Sequence, residues 1–284
     1  MRKIALIGQS HAVAVLDAIA DWRPQLALLD GETHDNFSES FRGWFTVNTG
    51  GRMFRLVPRP GFEAFAGMAV CLLNRATFHG ELATIRKVDG GRVHIGVSDV
   101  LSTFIEQVRG CDTLISIIYG NEQSDMALTS SLPEYDFAPF DEPAAGQPID
   151  RIHIANVMSQ FGSLVTAPLA CLRSALPAAK ILHIAPPPPL LDPGIAARLE
   201  GFGAEVSSGK LARPSLRRKI HRTYIDVLRA QLERLQVRVV EPDYDAVCED
   251  GYLRPAFADG LTHGNRAYGE RMAMRIAQLI EADA

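Results

Sequence analysis

Five short apolar runs set the frame of this chain: "KIALIG" (3–8), "QLALLDG" (25–31), "DTLISIIYGN" (112–121), "AKILHIAPPPP" (179–189) and "QVRVVEPD" (236–243). They lack strict apolar/polar alternation, so they read as strands buried on both faces, the situation in a parallel sheet covered by helices. Between them the periodicity changes to threes and fours. A helix is expected over about 98–109, with Gly110 as its stop. A second is expected over about 149–175, where Ile154, Val157, Met158, Phe161, Leu164, Val165, Leu169 and Leu172 form one stripe and Pro168 marks a kink. A third starts near Pro214 and aligns Ile220, Tyr224, Leu228, Leu232 and Leu235; a last runs from about Asn265 to Ile280. Strand alternating with helix predicts right-handed crossovers and a flavodoxin-like α/β fold: three layers around a doubly wound parallel sheet of about five strands.

The stretch 31–95 breaks this rhythm. "NTGGR", "VPRPGF" and "DGGRV" read as turns, and alternation in "RMFRLV" (52–57) and "GRVHIGV" (91–97) suggests short β segments, with a helix between about 61 and 77. With 284 residues in all, the chain is expected to be a single domain, 1–284, carrying an insertion over approximately 31–95 after its second strand. "APPPPLLDPG" (185–194) reads as a rigid, extended exit from the fourth strand.

A net charge of −4 offers no basic footprint for nucleic acid. No apolar run suggests a membrane span, and the basic-then-apolar start, Arg2, Lys3, "IALIG", reads as a first core strand rather than a leader. Cys71, Cys111, Cys171 and Cys248 are scattered, without the spacing of a zinc site or a disulfide framework, which suits a reducing compartment, the cytoplasm. His34, His79, His94, His153, His183 and His221 show no metal-ligand spacing, and no glycine-rich phosphate loop is present. The basic run "RPSLRRKIHR" (213–222) reads as the solvated face of its helix, with guidance of an anionic substrate as the alternative.

In a doubly wound sheet, sites form beyond the carboxyl ends of the strands. After the first run comes Gly8-Gln9-Ser10-His11; after the third, Tyr119-Gly120-Asn121-Glu122; before the last helix, "AFADGLTHGNRAYGERM" (256–272), with Asp259 and His263. One sheet edge thus gathers a hydroxyl, an amide, an imidazole and a carboxylate. A serine hydroxyl is a weak nucleophile until a base takes its proton. Histidine does so near neutral pH, a carboxylate fixes its tautomer, and amide N–H groups hold the oxyanion that attack creates. Each residue alone has a plainer reading. Ser10 is also a good helix N-cap, Asn121 and Asp259-Gly260 are common turn chemistry, and His263 could cap the last helix.

Taken together, "IGQSHAVAV", "IIYGNEQSD" and "DGLTHGNRAYG" resemble the serine, asparagine and histidine blocks of the SGNH hydrolases, the GDSL-type esterase superfamily. The resemblance implies an esterase, a hydrolase using a serine nucleophile: Ser10 attacks, His263 is the general base, and Asp259 orients it. It also implies an oxyanion hole from the backbone N–H of Ser10, a glycine and the Asn121 amide. Gly96 in "VHIGVSDV" is the preferred glycine, with Gly50 or Gly51 as the alternative. His11 and Glu122 are expected to line the substrate site. Where the family often has aspartates, this chain has Gln9 and Glu122, and its acid stands four residues before the histidine rather than three. No metal or organic cofactor is required.

The implied reaction is hydrolysis or transfer of an ester-linked acyl group on a small molecule or a glycan. One alternative is a carbohydrate O-acetyl esterase or acetyltransferase with the insertion as its recognition element. The other is a non-catalytic protein holding an anion at the Ser10 helix N-terminus. Nothing in the sequence indicates an oligomeric state.

Overall fold

A computed structural model describes residues 2–21, 51–73, 81–88, 92–120, 122–123, 135–137, 147–192 and 211–282. In chain order the elements are β1 (Ile4–Gly8), α1 (Ser10–Ile19), β2 (Gly51–Arg55), β3 (Ala69–Leu73), β4 (Ala83–Val88), β5 (Arg92–Val97), α2 (Asp99–Gln107) and β6 (Thr113–Ile117). They continue with β7 (Tyr135–Asp136), β8 (Gln147–Pro148), α3 (Arg151–Ala175), β9 (Lys180–Ile184), α4 (Pro214–Glu233), β10 (Val237–Val240), β11 (Ala258–Asp259), β12 (His263–Gly264) and α5 (Arg266–Glu281).

The main sheet has the order β10-β9-β6-β1-β3-β2. Its first five strands in that order are mutually parallel, and β2 closes one edge antiparallel to β3. This is the expected flavodoxin-like order, with the chain passing to one side of β1 for β3 and to the other for β6. Side chains alternate between faces along each strand and build two cores. Ile4 and Leu6 of β1, with Ile115, Ile117 and Leu182, pack under α1 and α5. Ala5 and Ile7, with Leu114 and Ile181, pack under α2, α3 and α4.

Four of the five expected strands sit where the apolar runs place them. The remaining run, 25–31, lies outside the described residues. The sheet position beside β1 is filled instead by β3, whose sequence "AVCLL" falls within the stretch expected to be a helix over 61–77. That expectation fails: only Glu63–Phe65 forms a single 3-10 turn, and Gly67, at φ +70, separates it from the strand. Five apolar residues make a two-face-buried strand, but are too few to sustain a helix. The stretch expected as an insertion therefore supplies two strands of the main sheet, and β4 and β5 pair as a hairpin packed against α3.

The helices lie close to their expected bounds, because their capping chemistry is local. Ser98 accepts from Leu101 N–H at the start of α2, and Asp150 from Ile152 N–H at the start of α3. Helix α3 is long and apolar enough by length and composition to cross a membrane, which the absence of a long apolar run did not anticipate; here Ile154, Met158, Val165, Leu169 and Leu172 bury its stripe in the second core.

The basic run on α4 also departs from expectation. Arg217 and Lys219 are 1% and 4% exposed. Lys219 Nζ lies 3.3 Å from Asp136 Oδ1 of β7 and donates to Phe137 O, and Arg213 Nη2 reaches Asp136 Oδ2 at 3.4 Å. Arg217 Nε donates to Ala212 O. Arg217 and Lys219 are thus internal structure, while Arg213 is half-buried and Arg222 exposed, and removing Asp136 would strand the buried Lys219 charge.

Candidate active site

The site is built at the carboxyl edge where the strand order reverses, between β1 and β6. Gln9 occupies the N-cap of α1 but does not cap it with its side chain. Its N–H donates to Ile117 O at 3.1 Å, and its Oε1 accepts from Tyr119 N–H at 2.9 Å. One residue thus ties the exit of β1 to the exit of β6. Gly8 leaves the room this requires, since a Cβ there would lie 2.5 Å from Ala12 Cβ.

The β6 loop is held by its own side chains. Tyr119 takes φ +56, and its hydroxyl accepts from Leu82 N–H at 3.1 Å; burial pushes that phenol upward from its ordinary pKa. Gly120 follows at φ +123, a conformation that an L side chain rarely adopts. A Cβ on it would also sit 3.1 Å from Pro186 Cβ and 3.6 Å from the His11 ring. Glu122 Oε2 accepts from Gly120 N–H at 2.7 Å, and Gln123 Nε2 donates to Gly120 O at 2.7 Å. Glu122 is therefore engaged in shaping its own loop. Asn121 lies outside the described residues.

Helix α5 delivers the histidine. Asn265 caps it by accepting from Tyr268 N–H, and its Nδ2 donates to Ala256 O and Ala258 O, which fastens the preceding hairpin to the helix. In that hairpin Asp259 of β11 pairs directly opposite His263 of β12. Gly260, Leu261 and Thr262 form the turn, with Gly260 at φ +71.

These elements bring Ser10 and His263 together. Ser10 is exposed as the first residue of α1, and its Oγ lies 2.9 Å from His263 Nε2. The Ser10 N–H is one of the amide groups that a helix start leaves without an intrahelical partner. On the far side of the ring, Nδ1 lies 3.0 Å from Thr262 Oγ1. His11 stacks on the His263 ring, with centroids 4.4 Å apart and planes 18° from parallel. Burial pushes the His263 pKa below its ordinary value, and the negative charge of nearby Asp259 offsets part of that fall.

Not every expected residue converges. Asp259 stands across the hairpin from His263, is exposed, and makes no hydrogen bond to the ring; Thr262 holds the position at Nδ1. Gly96 lies in β5 opposite Thr84, and among the described contacts none joins it to Ser10. Sequence reading missed the roles of Gln9 and Thr262. Gln9 carried a signal, since a glutamine is a poor side-chain cap at a helix start and calls for another partner. Thr262 carried none beyond its adjacency to His263. Among the described residues no group of three or more His, Cys, Asp or Glu could hold a metal ion.

No protein-family model and no curated protein matches the chain. Solved structures do. A carbohydrate acetylesterase from Sinorhizobium meliloti matches at 15% identity, over 100% of this chain and 100% of that one, with a TM-score of 0.42. The aryl esterase of M. smegmatis matches at 14% identity, over 99% of each chain, with a TM-score of 0.40. The periplasmic domain of a lipopolysaccharide acetyltransferase from Salmonella ser. Paratyphi A matches at 10% identity, over 99% of this chain and 84% of that one, with a TM-score of 0.42. At these identities a likeness concerns the fold alone, and at these scores it carries nothing about chemistry.

Proposed function

We propose that this chain is a serine hydrolase of SGNH type, which cleaves or transfers an ester-linked acyl group through an acyl-serine intermediate. One observation carries the reading: Ser10 Oγ and His263 Nε2, 253 positions apart in sequence, lie 2.9 Å from each other at the sheet edge where such folds place their sites. In the proposed reaction Ser10 Oγ attacks the acyl carbon as His263 Nε2 takes the hydroxyl proton. The same nitrogen returns that proton to the departing alcohol oxygen. Water, or an acceptor alcohol, then gives its proton to Nε2 and attacks the acyl-serine, and Ser10 is restored.

The Ser10 N–H, at the positive end of α1, is suited to the oxyanion of each tetrahedral intermediate. The Asn121 amide is proposed as a further donor, on the family resemblance. The substrate is an ester of a small molecule or a glycan, and no cofactor takes part. The four free cysteines suit work in a reducing compartment such as the cytoplasm.

The test is turnover of short-chain p-nitrophenyl esters, together with labelling by a serine-directed phosphonate. Ser10→Ala is expected to abolish both and leave the far-UV spectrum unchanged. Undiminished turnover by pure Ser10→Ala protein would overturn the assignment.

A further inference from the structure

Resting on the reading of Ser10 and His263 as nucleophile and base, we infer that Thr262, and not Asp259, is the residue that positions His263, so that the base is oriented by an uncharged hydroxyl. The geometry of the hairpin carries this. Asp259 and His263 are a directly opposed pair. Asp259 nevertheless stays in solvent and acts on the ring only through its charge. The turn between them places Thr262, 8% exposed, with its Oγ1 3.0 Å from Nδ1. At that distance and burial the hydroxyl occupies the place that the family resemblance reserves for a carboxylate.

The proton accounting is simple. For Ser10 Oγ–H to donate to Nε2, the single proton of the neutral ring must sit on Nδ1, where it donates to Thr262 Oγ1. On attack the Ser10 O–H bond breaks and the Nε2–H bond forms. Nδ1–H and the Thr262 hydroxyl proton stay in place, so Thr262 orients the ring without changing charge. A carboxylate accepts only, and so enforces this tautomer; a hydroxyl can also turn and donate to Nδ1, leaving Nε2–H facing Ser10. The described groups facing the ring are then His11 on its plane, Ser10 and Thr262 at its two nitrogens, and the charge of Asp259 across the hairpin. None of them is a carboxylate bonded to the imidazole. The base is accordingly weakly charged-stabilised, in keeping with the downward shift that burial gives it.

Two measurements test the inference. The first is the ¹⁵N spectrum of the resting protein's histidine side chains above the ring's titration, with the His263 signals identified by their loss in His263→Gln. The parent is expected to show protonated Nδ1 and bare Nε2. Thr262→Val should lose that preference, while Thr262→Ser and Asp259→Asn keep it. The second is kcat on a short-chain ester. Thr262→Val should fall about ten- to a hundredfold, from stranding a buried N–H. Thr262→Ser and Asp259→Asn should each stay within a few-fold of the parent. A collapse of about 10⁴ in Asp259→Asn, with Thr262→Val unchanged in tautomer and rate, would overturn the inference. The tautomer measurement needs no turnover, so it stands or falls separately from the esterase reading, which Ser10→Ala decides.

Discussion

The ring of His11 lies 4.4 Å from the ring of His263, with the two planes 18° apart. The neighbour of the proposed nucleophile thus forms one wall of the proposed base. Such stacking is worth about 0.5–1.5 kcal/mol beyond the area it buries. His11→Ala is expected to lower kcat by about two- to tenfold with KM little changed, through a ring less well held. His11→Phe, which keeps a flat face in the same place, should recover most of the loss. If both variants instead raised KM at constant kcat, His11 would be touching substrate and not holding His263.

Burial disfavours the His263 imidazolium, and the Asp259 charge only partly offsets this. The neutral base therefore persists below the ordinary histidine pKa of about 6.5. The acid limb of kcat/KM is expected to have its midpoint under that value. Asp259→Asn removes the upward influence, so its limb should move further to acid while the plateau stays within a few-fold. A pH–rate series between about 4.5 and 8 checks both, and a limb centred above about 6.5 would contradict the assignment.

Helices α1 and α5 meet at Gly269. A Cβ there would lie 1.8 Å from Ala14 O and 2.8 Å from Val15 N, so even alanine must push the helix backbones apart. Gly269→Ala is expected to cost about 2–4 kcal/mol in urea unfolding. It should also reduce activity more than the lost folded fraction explains, since α5 carries the His263 hairpin. Ala267→Ser, at an exposed position of the same helix, serves as the control and should change neither.

His183 on β9 is opposite Ser116 on β6, its Nδ1 lies 3.1 Å from Ser116 Oγ, and burial pushes its pKa down to about 3. The unfolded chain takes up a proton near pH 6.5, which the folded chain refuses until about 3. The stability due to a neutral His183 is complete above the unfolded value and declines as pH falls through that window, by about 1.4 kcal/mol per pH unit. Half-buried His221, also shifted down by desolvation, adds in the same sense. His183→Asn should be less stable at neutral pH, yet lose stability less steeply on acidification. An unchanged slope in urea titrations across this range would show that His183 does not set it.

The architecture was legible because its signals are local. The runs that form β1, β6 and β9 are apolar on both faces, β10 departs from this only by the exposed Arg238, and the helices between them announce their stripes and caps within a few residues. β3 was not legible, since the segment around "FEAFAGMAVCLL" has apolar spacings that also fit a helix, and its pairing with β1, more than sixty residues earlier, leaves no local mark. The buried Lys219 was equally hidden, because its partner Asp136 is 83 residues away and a basic run looks solvated until that partner is known. In the candidate site, the residue types and their strand-end positions could be read from sequence. Their bonds could not. That Gln9 binds Tyr119, that Glu122 braces Gly120, and that Thr262 rather than Asp259 meets Nδ1 are matters of about an ångström, fixed by loops whose paths depend on one another.

The crossing of α1 and α5 also has a consequence in time. Ser10 is made well before His263, and the contact between them closes a loop of 253 residues. Contacts of such long range form late in folding, after the local elements and the sheet that carries them. A growing chain that has not yet reached α5 holds a serine with no base beside it, and the protein acquires its proposed reactivity only once α5 is in place. The same dependence runs in reverse. If α5 detaches in a local opening, the proposed chemistry stops while the sheet remains folded, so inactivation on gentle heating should precede the loss of secondary structure.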